Sequence, residues 1–137
     1  MIWRRFEVGV GFGLALSLLL TSPANAQDKC APVTHSKAEK LLEKGTNKDK
    51  YGPEERADWL AKAIEEDPAC LACRVELAEI MFSRFKRSGQ GGDEAGEHAQ
   101  AVIEACPSFS PAVHYISGAL AYADRQWADA EDAFLSF

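Results

Sequence analysis

Hydrophobic positions along this chain fall into two regimes. From Val8 to Leu20 they run almost unbroken, as VGVGFGLALSLLL. From Leu41 onward they recur every three or four residues, the spacing that turns one face of a helix toward a core. No stretch alternates apolar and polar residues at the period of a strand, and β-branched residues are sparse. The expected fold class is all-α.

Turn and capping residues divide the periodic part into six helices. Ser36-Lys37-Ala38-Glu39 reads as a capping box opening the first, with Leu41 and Leu42 inward and Gly45 as the stop. Thr46 to Gly52 is a polar loop. Pro53 begins the second helix, with Glu54 and Glu55 at the positive end of its dipole. Its inner face is Ala57, Leu60, Ala61 and Ile64, and it stops near Asp67-Pro68. The third runs from about Cys70 to Arg87 on a stripe of Leu71, Val75, Ala78, Phe82 and Phe85, widened by Leu77 and Met81. Ser88 to Gly92 is a flexible break, and Asp93 is the expected N-cap of the fourth helix. That helix faces inward with Ala95, Ala99, Val102, Ile103 and Cys106, and Pro107 ends it. Ser110-Pro111 opens the fifth, and Asp124-Arg125-Gln126 turns into the sixth, lined by Trp127, Ala130, Phe134 and Phe137. Short turns between the helices predict antiparallel pairs. The mixed charges from Lys37 to Arg56 read as a solvated face.

The apolar run near the start has a different meaning. Arg4 and Arg5 precede it, Pro23 follows it, and Ala24-Asn25-Ala26 offers small residues where a signal peptidase reads. The run is shorter than the about 20 residues that cross a bilayer. The expectation is a secretory signal over residues 1–26, an N-terminal segment over 27–35 and a helical domain over 36–137. Gln27-Asp28-Lys29 ahead of Cys30 is polar and bulky, unlike a lipid-anchoring motif. Of 15 basic and 21 acidic residues, the leader holds Arg4, Arg5 and Glu7, which leaves 13 against 20 and a net charge of −7. That balance argues against nucleic acid or anionic lipid as the main partner. Export also changes how Cys30, Cys70, Cys73 and Cys106 read. An even count in an oxidising compartment points to two disulfides rather than to metal or cytosolic redox chemistry.

The helix pairs are related to one another. Ala63-Ile64-Glu65-Glu66-Asp67-Pro68 aligns with Val102-Ile103-Glu104-Ala105-Cys106-Pro107 at a period of 39, and Gly118, Trp127, Ala130 and Phe134 follow a G-x8-W-x2-A-x3-F spacing. With Leu77-Ala78 and Phe82 in a first helix and Ala95 and Ala99 in a second, residues 36–137 resemble the tetratricopeptide-repeat (TPR) family. The resemblance implies a short α-solenoid of three antiparallel helix pairs with a concave groove that binds a peptide or protein. The chain departs from the pattern at Arg74, where an apolar residue is usual, and at Ala121, where an aromatic is usual. The order Cys30, LLEKG, KDKYGPEER, AIEEDP, a Gly-containing insert, IEACPSFSPA and WADAEDAFLSF is further similar to the TPR module that begins exported envelope proteins continuing into β-propeller repeats and an OmpA-like domain. The apolar end at Phe134 to Phe137 implies an array that continues or associates with a partner or another copy.

In a TPR hairpin the start of the first helix lies beside the end of the second. That rule favours Cys73–Cys106 and Cys30–Cys70, with Cys70–Cys73 as the rival. The rival pairing would favour thiol–disulfide chemistry, because a CxxC at a helix N-terminus can hold a thiolate. No other constellation carries chemistry. His35, His98 and His114 lie on separate elements, the Gly-rich break lacks the Lys-Ser/Thr of a phosphate loop, and Arg74 follows Cys73 where haem attachment needs His. Trp59 lies at a core edge or on the concave surface. The expectation is a non-enzymatic interaction module, exported to the periplasm or envelope of a Gram-negative bacterium, without cofactor or metal. The alternatives are a periplasmic redox protein using Cys70 and Cys73, or a structural spacer in a longer envelope protein.

Overall fold

A computed structural model describes Cys30, Val33 and residues 35–137. The leader expected over 1–26 lies outside the described residues. Six helices follow in order: α1 (Ser36–Thr46), α2 (Pro53–Glu66), α3 (Leu71–Ser88), α4 (Gly92–Ala105), α5 (Pro111–Ala123) and α6 (Trp127–Leu135). No strand occurs among the described residues. Each odd-numbered helix packs most extensively on the one that follows it, so the helices form three successive pairs. Neighbouring pairs meet through α2 on α3 and α4 on α5, and α3 also touches α1 and α5. This packing is consistent with a short solenoid-like array.

The helix boundaries follow the local chemistry of the chain. Pro53 and Pro111 each sit in the first turn, where a missing N–H costs nothing. The α3–α4 turn needs left-handed backbone at two places, and glycine supplies both, Gly89 at φ 74° and Gly91 at φ 89°. Two capping expectations fail. His35, not Ser36, is the N-cap of α1, and no side chain caps that end. Gly91, not Asp93, is the N-cap of α4, and Asp93 lies in its first turn. In both cases the helix begins earlier than expected, which moves the residue from the cap into the helix. Asp93 and Glu94 still suit the dipole there.

The core is centred on α3. Leu71, Cys73, Val75, Leu77, Ala78, Ile80, Met81 and Phe82 are all buried along it. That is wider than one amphipathic stripe, because α3 is covered by α4 on one side and by α1, α2 and α5 on others. Ile80 is buried for this reason. On α2 the inner face is Ala57, Leu60 and Ala63, while Ala61 is exposed. Ala61 lies one step of about 100° beyond Leu60, just past the edge of that face. Gly45 lies against Leu60 so closely that a Cβ there would fall 2.4 Å from Leu60 Cγ.

Arg56 also departs from expectation. The charge pattern places it on a solvated face, yet it is only 8 % exposed. Its Nε donates to the Gly45 carbonyl at 2.7 Å, one of the carbonyls left open at the end of α1, and its Nη2 donates to Glu76 at 3.4 Å. Replacing Arg56 with alanine strands that carbonyl and leaves Glu76 without its cation. The expected loss is about 2 kcal/mol in urea unfolding.

Candidate functional site

The described cysteines all form disulfides, Cys30 with Cys106 and Cys70 with Cys73. The favoured pairing of Cys73 with Cys106 and Cys30 with Cys70 is therefore overturned. Its premise about which ends meet is not at fault. Arg74 of α3 reaches His98 of α4 at 3.2 Å, and Leu71 and Ala105 line one depression. The choice among neighbours is what fails. Cys70 is the N-cap of α3, and its Sγ accepts the Cys73 N–H at 3.2 Å. Cap geometry already brings those two residues together, with their Cα atoms 5.3 Å apart. Cys106, the C-cap of α4, then pairs with Cys30, Cα to Cα 5.4 Å, and ties the N-terminal segment to the α4–α5 turn.

A second feature is the solvent-facing stripe of α3. Glu76, Glu79, Ser83, Lys86 and Arg87 recur at helical spacing along it. On one side the stripe borders a polar depression completed by Lys48, Pro53 and Arg56. On the other it borders an apolar one, where Phe82 and Lys86 face Ala112, Tyr115 and Ile116 of α5. Glu79 lines both. Tyr115, 45 % exposed, meets the buried Phe82 ring edge-on at 6.0 Å. Phe134 and Phe137 extend the aromatic side, with centroids 6.2 and 5.9 Å from Tyr115, and the Lys86 ammonium lies 5.0 Å over Phe82. The result is one continuous face with charge at one end and exposed aromatic area at the other.

Burial raises the Glu79 carboxyl above its ordinary value of 4.5, helped by the Glu76 carboxylate and opposed by Lys48 and Arg56. The folded state thus holds the Glu79 proton more tightly than the unfolded chain. This contribution to stability is complete below 4.5 and is lost as pH rises through the folded value. Glu79→Gln should therefore narrow the difference in urea midpoint between about pH 4 and pH 7, by a small amount because solvent screens a side chain that is only partly buried.

The histidines stay apart. His35 occupies the N-cap position of α1 without a side-chain cap and is exposed. His114 Nε2 donates to the Pro107 carbonyl at 2.7 Å. His98 Nδ1 accepts from Arg74, since arginine only donates, and burial together with that guanidinium lowers its pKa. Among the described residues, no group of His, Cys, Asp or Glu is placed to hold a metal ion. Trp59 is half-buried outside the α3 face, with the Lys44 and Lys62 ammoniums 4.4 and 4.7 Å from its ring. The sequence reading missed Glu79 and Tyr115 because an isolated charge and an isolated aromatic carry no pattern until helices pack. Comparison with protein-family models, curated proteins and solved structures found no match.

Proposed function

We propose that this chain is an exported, TPR-like interaction module of the Gram-negative cell envelope that binds a peptide or another envelope protein along α3 and α5. The observation that carries the reading is the face built around Tyr115, Phe82, Lys86 and Glu79, which joins exposed aromatic area to charges of both signs. Such a face suits an extended or helical peptide with an apolar anchor and a charged flank. Export is supported by the Val8 to Leu20 pattern with Ala24-Asn25-Ala26, and two disulfides are compatible with an oxidising compartment. No described helix is long and apolar enough to cross a membrane. We assign no catalytic residue and no cofactor.

Selection from a displayed peptide library against the oxidised protein tests the binding reading. Enriched peptides should lose about tenfold in affinity with Tyr115→Ala, a loss typical of an anchor contact of about 1.4 kcal/mol. Peptides that bind this variant unchanged would contradict it. The exposed edge at Phe134 (41 %) and Phe137 (66 %) also offers a surface for self-association. Phe137→Glu should shift sedimentation toward monomer.

One observation favours a second reading as a thiol–disulfide protein, namely the Cys70–Cys73 bond at the start of α3. Its access is poor. Cys70 is 1 % exposed and Cys73 is fully buried, so an outside thiolate reaches either sulfur only after local opening. Insulin reduction by dithiothreitol separates the readings. Catalysis above the uncatalysed rate supports the redox one.

A further inference from the structure

The two disulfides lie at the same end of the molecule. Cys70 and Cys73 occupy the cap and first turn of α3, and Cys106 caps the end of α4. Ala69 and Leu71 share a depression with Ala105, the residue next to Cys106. Cys70, Cys73 and Cys106 belong to one buried cluster, and Cys30 packs against it. The two bonds are unequal in how readily they form. One joins residues three apart, while the other joins residues 76 apart and must close most of the described chain. They also differ in polarity. The Cys73 N–H donates to Cys70 Sγ at the positive end of α3, so a thiolate is better stabilised on Cys70 than on Cys73.

From this placement we propose that Cys70–Cys73 is an internal oxidant that makes the Cys30–Cys106 bond during folding. The Cys106 thiolate attacks Cys73 Sγ. A Cys73–Cys106 bond forms, the Cys70–Cys73 bond breaks, and the electron pair leaves on Cys70, the better leaving group. The Cys30 thiolate then attacks Cys106 Sγ and expels Cys73. Cys30 and Cys106 together lose two electrons and two protons, which Cys70 and Cys73 gain. A small external disulfide, oxidised glutathione, re-forms Cys70–Cys73 and becomes two reduced glutathiones. Burial of Cys70, Cys73 and Cys106 in the finished fold then closes the relay, which separates it from catalysis on other proteins. The proposal is independent of what the α3 face binds.

Refolding of the reduced chain with oxidised glutathione, quenched with N-ethylmaleimide and mapped by mass spectrometry, tests it. Cys70–Cys73 should appear first. In Cys70→Ala/Cys73→Ala, Cys30–Cys106 should form about tenfold more slowly, because an intramolecular partner at roughly millimolar effective concentration is lost. In Cys30→Ala/Cys70→Ala, which removes both thiols able to resolve the mixed disulfide, Cys73 and Cys106 should become joined. This second arm needs no stable fold from the Cys70→Ala/Cys73→Ala variant. Formation of Cys30–Cys106 at the original rate without Cys70 and Cys73 would overturn the proposal. So would Cys30→Ala/Cys70→Ala protein in which Cys73 and Cys106 stay apart, each free or glutathionylated.

Discussion

Replacing Cys30 and Cys106 together with alanine should lower the unfolding free energy by about 4 kcal/mol, whereas replacing Cys70 and Cys73 should cost at most about 2 kcal/mol. The difference comes from the unfolded chain. A bond across 76 residues removes far more loop-closure freedom than one across three. The long bond also holds Cys30 and Val33 against the core, while the short one fastens a turn that α3 already forms. Urea unfolding of both double variants, followed by circular dichroism, measures the two costs. Equal losses would mean that the N-terminal segment contributes nothing through its tether.

Leu60→Ala is the second large effect. Leu60 is fully buried and fills the space that Gly45 leaves open where α1 and α2 cross. Truncating it leaves a cavity between two helices that cannot collapse without parting the hairpin, at an expected cost of about 3 kcal/mol. Gly45→Ala attacks the same contact from the other side. Its Cβ would fall 2.4 Å from Leu60 Cγ, and a fully buried Leu60 cannot move aside, so a loss of about 2 kcal/mol is expected despite alanine's better helix propensity. Gly118→Ala makes a useful contrast. Its Cβ would fall 2.7 Å from the Phe134 ring, but Phe134 is 41 % exposed and free to swing outward. The loss there should be smaller than at Gly45. Thermal melts of the three variants rank them.

The helices were legible because their signals are short-range. Pro53, Pro111 and Pro107 punctuate the chain at or within a residue or two of observed ends, and the stripes on α3 and α4 follow from periodicity alone. Properties that depend on a distant partner were not legible. Arg56 is flanked by Glu55 and Ala57 and looks like surface until the end of α1 arrives to take its hydrogen bond. Ile80 lies off the main stripe and becomes buried only because α3 is enclosed on several sides. The disulfides were misassigned because several cysteines meet at one end of the array, and antiparallel geometry does not say which of them pair. The cap position of Cys70 was the overlooked local signal, since a cap side chain points back at the third residue of its own helix. The α3 face was invisible for a related reason. Glu79 and Tyr115 are 36 residues apart and become one surface only when α5 lies beside α3.

We propose that the α3–α5 face holds a protein partner. Site-specific photocrosslinking in expressing cells tests it most directly, with benzoylphenylalanine at Tyr115 and, as a control, at Glu104, which lines a different depression near the α2–α3 turn. Position 115 should give a discrete adduct with an envelope protein that is absent from position 104 and is lost when Lys86 and Glu79 are both replaced by alanine. Adducts of equal yield from both positions, or none from position 115, would contradict it.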